Sequence, residues 1–304
     1  PLGNPTKFIS ELLRHFSRLK DENISSLDYL RYVEDLEADK DAVLGGRDLI
    51  ETEGGEGEKM EIGRLKELAN AYHTYNQLLL DNNYLDFGDL IMYLLKLFKE
   101  RPRILEYYRD KFQYIMVDEF QDTNYAQYEL VRLLSAPKNN LVVVGDDDQA
   151  IYKFRGASLS NIMQFKDDYP KAPELVLTAN YRSRQEILDR AYEFIQNNNP
   201  NRLEEKLKID KRLKAAGKFI ARPKSDPAVK FLNFSLAGEE ISFVAQKIRE
   251  IYDRDAGRGK EISWSDFAIL VRANDTADAY VKELSRCDIP NQFMSWEYRI
   301  GSTP

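Results

Sequence analysis

Up to residue 110 the apolar positions recur at helical spacing. Phe8, Leu12, Leu13, Phe16 and Leu19 form one series, and Leu65, Leu68, Tyr72, Tyr75 and Leu79 another. Steps of three and four mark helices with one buried face. They predict a small, polar helical region over residues 5–40 and 60–85. Between them residues 51–58 (ETEGGEGE) read as a solvated acidic loop. In the next stretch Asp86 suits a helix N-cap, with Asp89 at the third helical position favouring the positive helix end. Leu90, Ile91, Leu94, Leu95 and Phe98 are then expected to form its buried face.

Beyond residue 110 the pattern changes to short apolar runs that end abruptly in polar groups. Residues 114–117 (YIMV) run into Asp118-Glu119, residues 141–144 (LVVV) into Gly145-Asp-Asp-Asp-Gln149, and residues 175–177 (LVL) into Thr178-Ala-Asn-Tyr-Arg182. Helix-like stretches at 124–134 and 158–166 separate them, and Ser183-x-x-Glu186 reads as a capping box opening a further helix. Strand and helix in alternation predict a parallel α/β sheet, its strands apolar throughout because both faces are covered. Residues 202–226 are basic and loop-rich, with Lys206, Lys208, Lys211, Arg212, Lys214 and Lys218 read mainly as a solvated face. Strand-like runs at 229–232 and 267–271, with helices at 239–252 and 276–285, predict a second α/β unit.

Composition narrows the classes. Cys287 is the sole cysteine, and His15 and His73 are the only histidines, which excludes a disulfide framework and a Cys- or His-built metal site. That fits a reducing, cytoplasmic setting. Forty-four basic against 51 acidic residues leave a formal charge of −7. Any nucleic-acid surface is therefore local rather than global.

In open parallel sheets ligands sit beyond the carboxyl ends of the strands. Three successive strand ends supply Asp118 and Glu119, Asp146–Gln149, and Asn180-Tyr181-Arg182, expected on one sheet edge as one site. Such an inventory suits phosphoryl transfer to water. One acid holds Mg²⁺ and a second activates the attacking water, while an amide senses the γ-phosphate and an arginine neutralises developing charge.

Val117-Asp-Glu-Phe-Gln-Asp-Thr-Asn124 resembles motif II of the UvrD/Rep/PcrA family of superfamily 1A DNA helicases. Residues 143–157 (VVGDDDQAIYKFRGA) resemble its motif III, and Leu177-Thr-Ala-Asn-Tyr-Arg-Ser183 its motif IV. Asp86-Phe-Gly-Asp-Leu90 looks like the short helix start that precedes motif II there, and the likeness covers roughly residues 60–295. The resemblance implies RecA-like P-loop NTPase sheets with an inserted helical subdomain, using ATP and Mg²⁺. It implies that Asp118 positions Mg²⁺, Glu119 activates the hydrolytic water, Gln149 contacts the γ-phosphate and couples it to DNA, Arg182 is an arginine finger, and Tyr181 lies against adenine. It further implies that Tyr152 and Phe154 stack on single-stranded bases while Arg155 supports their loop; relatives often carry Trp at the position of Phe154.

The family's phosphate loop, G-x-x-x-x-G-K-[ST], does not occur: Gly217-Lys218 and Gly259-Lys260 both lack the following Ser or Thr. The chain is therefore expected to be an internal segment, inactive alone, with motifs V and VI following it. Residues 1–85 would be the helical (1B-like) subdomain, 86–179 the later part of the first RecA-like (1A-like) domain, and 180–304 the earlier part of the second (2A-like). The parent is expected to be a 3′–5′ helicase acting on single-stranded DNA and single/double-strand junctions in repair or replication. It would be cytoplasmic and nucleoid-associated, with repair accessory proteins as partners. Two alternatives stay open: a binding module that has lost ATP hydrolysis, and the helicase part of an AddA- or RecB-type helicase–nuclease.

Overall fold

The computed structural model describes residues 7–44, 54–150, 159–216 and 227–294. By backbone contacts the chain forms two compact units, residues 1–183 with 188–217 and residues 184–187 with 218–304.

The first unit opens with three helices, α1 (Ile9–Asp21), α2 (Ser26–Leu44) and α3 (Gly54–Asp81). Their apolar faces meet in a core of Phe16, Tyr29, Val33, Ala69 and Tyr72. Phe16 stacks on Tyr72 at 5.0 Å, and the Tyr72 hydroxyl donates to the Ile24 carbonyl at 3.1 Å. Burying a ring while pairing its hydroxyl stabilises the bundle by about 2 kcal/mol per aromatic. The acidic stretch differs from expectation. Residues 54–58 form the first turns of α3, because Gly and Glu there are continuous with a strong helix former run downstream.

Helix α4 (Phe87–Glu100) starts as predicted. The Asp86 side chain accepts from Asp89 N–H, and Asp89 in return accepts from Asp86 N–H. Its buried face is the one the apolar spacing predicts at Ile91, Leu94, Leu95 and Phe98, but not at Leu90. Leu95 and Phe98 are buried, but Leu90 is exposed and Asp89 is buried in its stead. The cause is Lys20 at the end of α1. Its fully buried ammonium lies 2.6 Å from Asp86 and 2.7 Å from Asp89, and the Tyr75 hydroxyl also donates to Asp86. Burial pushes the Asp86 carboxyl up, but the hydrogen bonds from Lys20 and the backbone outweigh it and hold the pKa below the usual range. The adjacent Asp21 accepts from the Asn124 side chain at 2.7 Å. Two consecutive residues of α1 therefore grip the N-caps of α4 and α6.

Helix α5 (Pro102–Lys111) leads into β1 (Ile115–Val117), α6 (Tyr125–Ser135) and β2 (Leu141–Val143). β1 and β2 pair in parallel, Ile115 opposite Leu141 and Val117 opposite Val143. Behind the strand ends, Phe120 packs edge-on to Tyr128 and to Phe165 of α7 (Leu159–Asp168).

The third run departs from expectation. Among the described residues, 175–177 form no strand, and Leu175 and Leu177 are exposed. The chain becomes a strand only at β3 (Ala179–Asn180), which pairs in parallel with β4 (Lys214–Ala215) in a separate two-stranded sheet. A strand exists only where another backbone completes its hydrogen bonds. Here the partner comes from the basic stretch read as a solvated face: Lys214 N–H donates to Thr178 O and Ala216 N–H to Asn180 O. Helices α8 (Gln185–Ile195) and α9 (Leu203–Leu207) connect β3 to β4.

The second unit holds α10 (Ala237–Ala256) and α11 (Asn274–Arg286). Trp264 packs face to face on Tyr252 at 3.6 Å, with the Arg249 guanidinium 5.2 Å from its ring. The apolar runs at 229–232 and 267–271 form no strands among the described residues, and Phe231 and Leu270 are exposed. Among the described residues no neighbouring strand pairs with them. No helix of the described residues is long and apolar enough to cross a membrane.

Candidate active site

At the carboxyl end of β1 the chain turns sharply. Glu119 takes a left-handed backbone conformation, φ 50° and ψ 42°, which disfavours any side chain with a Cβ and marks a position held for a reason. Asp118 stabilises the turn by accepting Glu119 N–H at 3.0 Å. Both carboxylates stay exposed.

The turn aims Glu119 at Gln121, which is almost fully buried. The Gln121 amide donates to the Glu119 carboxylate at 2.7 Å, and its carbonyl oxygen accepts Asp146 N–H at 3.0 Å. Beside it, Phe120 N–H donates to Val144 O and Val144 N–H to Val117 O. Gly145 permits this closeness, since a Cβ there would lie 2.9 Å from the Gln121 carbonyl oxygen and 3.2 Å from its backbone nitrogen. Asp146 then caps the following 3₁₀ turn and accepts from the exposed Gln149 amide at 2.9 Å. A continuous hydrogen-bonded path thus joins Glu119 to Gln149 through Gln121 and Asp146.

Other polar residues after Glu119 hold the turn. Thr123 donates to Phe120 O, the buried Asn161 donates to Thr123 O, and Asn124 caps α6. Asp122 is half-buried, one of its oxygens lacks a partner among the described residues, and burial together with the Glu119 charge raises its pKa.

Asp118, Glu119 and Gln149 therefore cluster at the ends of β1 and β2. The expected third strand end does not join that sheet. Asn180 accepts Arg182 N–H and Ser183 N–H, forming the tight turn after β3, and leaves Tyr181 and Arg182 exposed. Tyr152, Phe154 and Arg155 lie outside the described residues.

Sequence reasoning missed Gln121, Arg202 and Lys211. Gln121 stood within the motif, two residues past Glu119, but only the fold shows that it bridges two strand ends. The sequence reads Lys211 as part of a solvated face, yet its ammonium is largely buried among Asp146, Asp147 and Asp148, 2.8 Å from the first and 3.2 Å from the last. Arg202 is buried and forms a two-pronged bond to Asp148, both contacts at 2.7 Å.

The sequence of motif-bearing strand ends has counterparts in known proteins. The UvrD/REP helicase N-terminal domain matches residues 6–170, and the UvrD-like helicase C-terminal domain matches residues 175–299. The chain belongs to the UvrD/REP helicase family. It is 40% identical over 223 residues to the ATP-dependent DNA helicase PcrA of Staphylococcus aureus (strain Mu50), covering 73% of this chain and 28% of that protein. It is 43% identical over 209 residues to PcrA of Bacillus subtilis (strain 168), covering 68% and 26% respectively. The chain thus spans about a quarter of the length of these curated relatives. Family membership implies the RecA-like α/β fold, of which the β1–β2 pair and the helices around it are a part.

Proposed function

We propose that this chain forms part of the motor of an ATP-dependent DNA helicase that moves 3′ to 5′ along single-stranded DNA and opens duplexes at junctions. The observation that carries the reading is the path Glu119–Gln121–Asp146–Gln149, which ties a candidate water-activating carboxylate to a candidate phosphate-sensing amide. Relatives at about 40% identity are named ATP-dependent DNA helicases, which supports the same reading.

Mg²⁺, where bound, would supply charge neutralisation at the phosphates. Asp118 suits it, because it is exposed and, among the described residues, its carboxylate accepts from its neighbour's backbone and keeps its other oxygen open to solvent. The Asp146–Asp148 cluster does not suit it, because Lys211 already sits there. Glu119 is placed to orient water and take its proton. Arg182 would neutralise charge on the phosphates and Tyr181 would stack on the base, both exposed on the turn after β3. Tyr152 and Phe154 would grip single-stranded bases by stacking, with Arg155 supporting their loop. Residues 1–85 would serve as the inserted helical subdomain, 86–179 as part of the first motor domain, and 180–304 as part of the second.

The test is ATP hydrolysis by the protein carrying this chain, with and without single-stranded DNA, beside Glu119→Gln. DNA-stimulated turnover abolished by the substitution is expected, and turnover that survives it removes Glu119 from the chemistry. The chain alone is expected to be silent, since its sequence holds no G-x-x-x-x-G-K-[ST] loop. A second reading is a module that binds DNA without hydrolysing ATP. DNA binding with no turnover by any form carrying the chain would select it.

A further inference from the structure

Asp146, Asp147 and Asp148 each place one carboxylate oxygen within 4.8 Å of the others. Such a triad repels itself and either takes a cation or loosens. Here the Lys211 ammonium fills it, donating to all three. Arg202 braces the outer side through its paired bonds to Asp148 and a 2.7 Å contact with Glu204, and Leu203 N–H donates to Asp147 at 2.7 Å. Glu204 also accepts Lys211 N–H at 3.2 Å. Both cations come from the link between β3 and β4, Arg202 lying 54 residues after Asp148 and Lys211 65 residues after Asp146.

The division of labour on Asp146 is specific. One oxygen accepts Lys211 and Asp148 N–H, and the other accepts the Gln149 amide. Freeing the first oxygen lets the carboxylate rotate, and Gln149 loses its fixed partner.

We propose that Lys211, braced by Arg202, is a built-in cation that locks the 146–149 turn and is thereby a positioning residue for Gln149; its role in hydrolysis rests on the reading of Gln149 given above. The charges agree with that arrangement. Burial lowers the Lys211 pKa, but the surrounding carboxylates outweigh it and raise it overall, while Arg202 and Lys211 hold Asp148 below the usual carboxylate range against its burial.

The test compares wild type, Lys211→Met and Lys211→Arg by amide hydrogen exchange in this chain. In Lys211→Met, exchange at Asp148, Gln149 and Ala150 should accelerate about tenfold or more, the loss of charge-assisted bonds. Phe120 and Val144, in the adjoining backbone ladder, should hold within about twofold. Lys211→Arg should restore most of the protection. Calcium should slow exchange at the same three amides in Lys211→Met and leave wild type unchanged, because only the variant has a vacated carboxylate triad. Unchanged exchange in Lys211→Met overturns the proposal, as does equal acceleration across the whole unit, which signals general loosening. Should Lys211→Met fail to fold, Asp147→Asn removes one prong, with acceleration of about threefold expected at those amides and none as the refuting result. In the protein that hydrolyses ATP, Lys211→Met should lower kcat with KM nearly unchanged. If wild type shows no hydrolysis, the helicase reading fails, while the exchange result still decides the lock.

Discussion

Replacing Gln121 by Leu keeps the buried volume and deletes both ends of the bridge. The lost amide was donating to Glu119 at 2.7 Å, a charge-assisted bond whose exposed acceptor can return to water, so its removal costs about 1 kcal/mol. The other end is worse. Asp146 N–H, held at 3.0 Å by the Gln121 carbonyl oxygen, loses its acceptor behind an apolar side chain, which costs about 2 kcal/mol. Together they predict about 3 kcal/mol, or a fall of roughly 6–12 °C in the melting transition of the unit that carries it. Scanning calorimetry of wild type and Gln121→Leu reads that shift. Gln121→Glu separates the two ends, since it keeps an acceptor for Asp146 but sets a second carboxylate against Glu119. It should therefore be more damaging at pH 8 than at pH 5. A melting shift under about 2 °C for Gln121→Leu, or no pH dependence for Gln121→Glu, would refute the bridge as a structural tie between the strand ends.

Three further outcomes follow from geometry described above. Gly145→Ala should destabilise by about 1–3 kcal/mol in urea unfolding, because its Cβ would meet the Gln121 carbonyl oxygen at 2.9 Å; an unchanged midpoint would contradict it. Lys20→Met should cost about 3 kcal/mol by leaving Asp86 and Asp89 facing each other without their buried ammonium, and urea unfolding near wild-type stability would show that the cluster relaxes freely. Asp21 has its pKa pushed up to about 6, first by burial, with Glu22 and Asp86 adding to it against the Asn124 hydrogen bond. A raised carboxyl pKa favours the protonated form in the folded state, so its contribution is best below the unfolded value and is lost as pH rises through about 6. Asp21→Asn keeps an acceptor for Asn124 and should match wild type near pH 4 but exceed it by about 1 kcal/mol at pH 8, after allowing for its partial exposure; equal stability at both pH values would sink the idea.

The helices were legible because their information is local. The spacing around Phe16 and Tyr72, and the Asp86/Asp89 pair, are read within a few residues and reappear as core and capping box. The strand ends at Asp118-Glu119 and Asp146–Gln149 were legible for the same reason, each being an apolar run that stops at charge. What failed depends on distant partners. Residues 175–177 carry the composition of a buried strand, but pairing is decided by residues 214–215, which look like a basic loop. Leu90 and Asp89 exchange places because Lys20 lies sixty-odd residues away in sequence. Lys211 has nothing near it in sequence to distinguish it from Lys206 or Lys208, and only folding selects it for the triad.

The end of α1 has a mechanical consequence. Lys20 and Asp21 are neighbours on one helix, yet they hold the starting points of two others, at Asp86 and at Asn124. The second lies five residues past Glu119, within the same turn that carries it. Force applied anywhere along α1 is delivered at once to both anchor points, with no flexible linker to absorb it. The helical bundle is thereby tied to the turn that carries Glu119, and a displacement of the one is expected to reach the other.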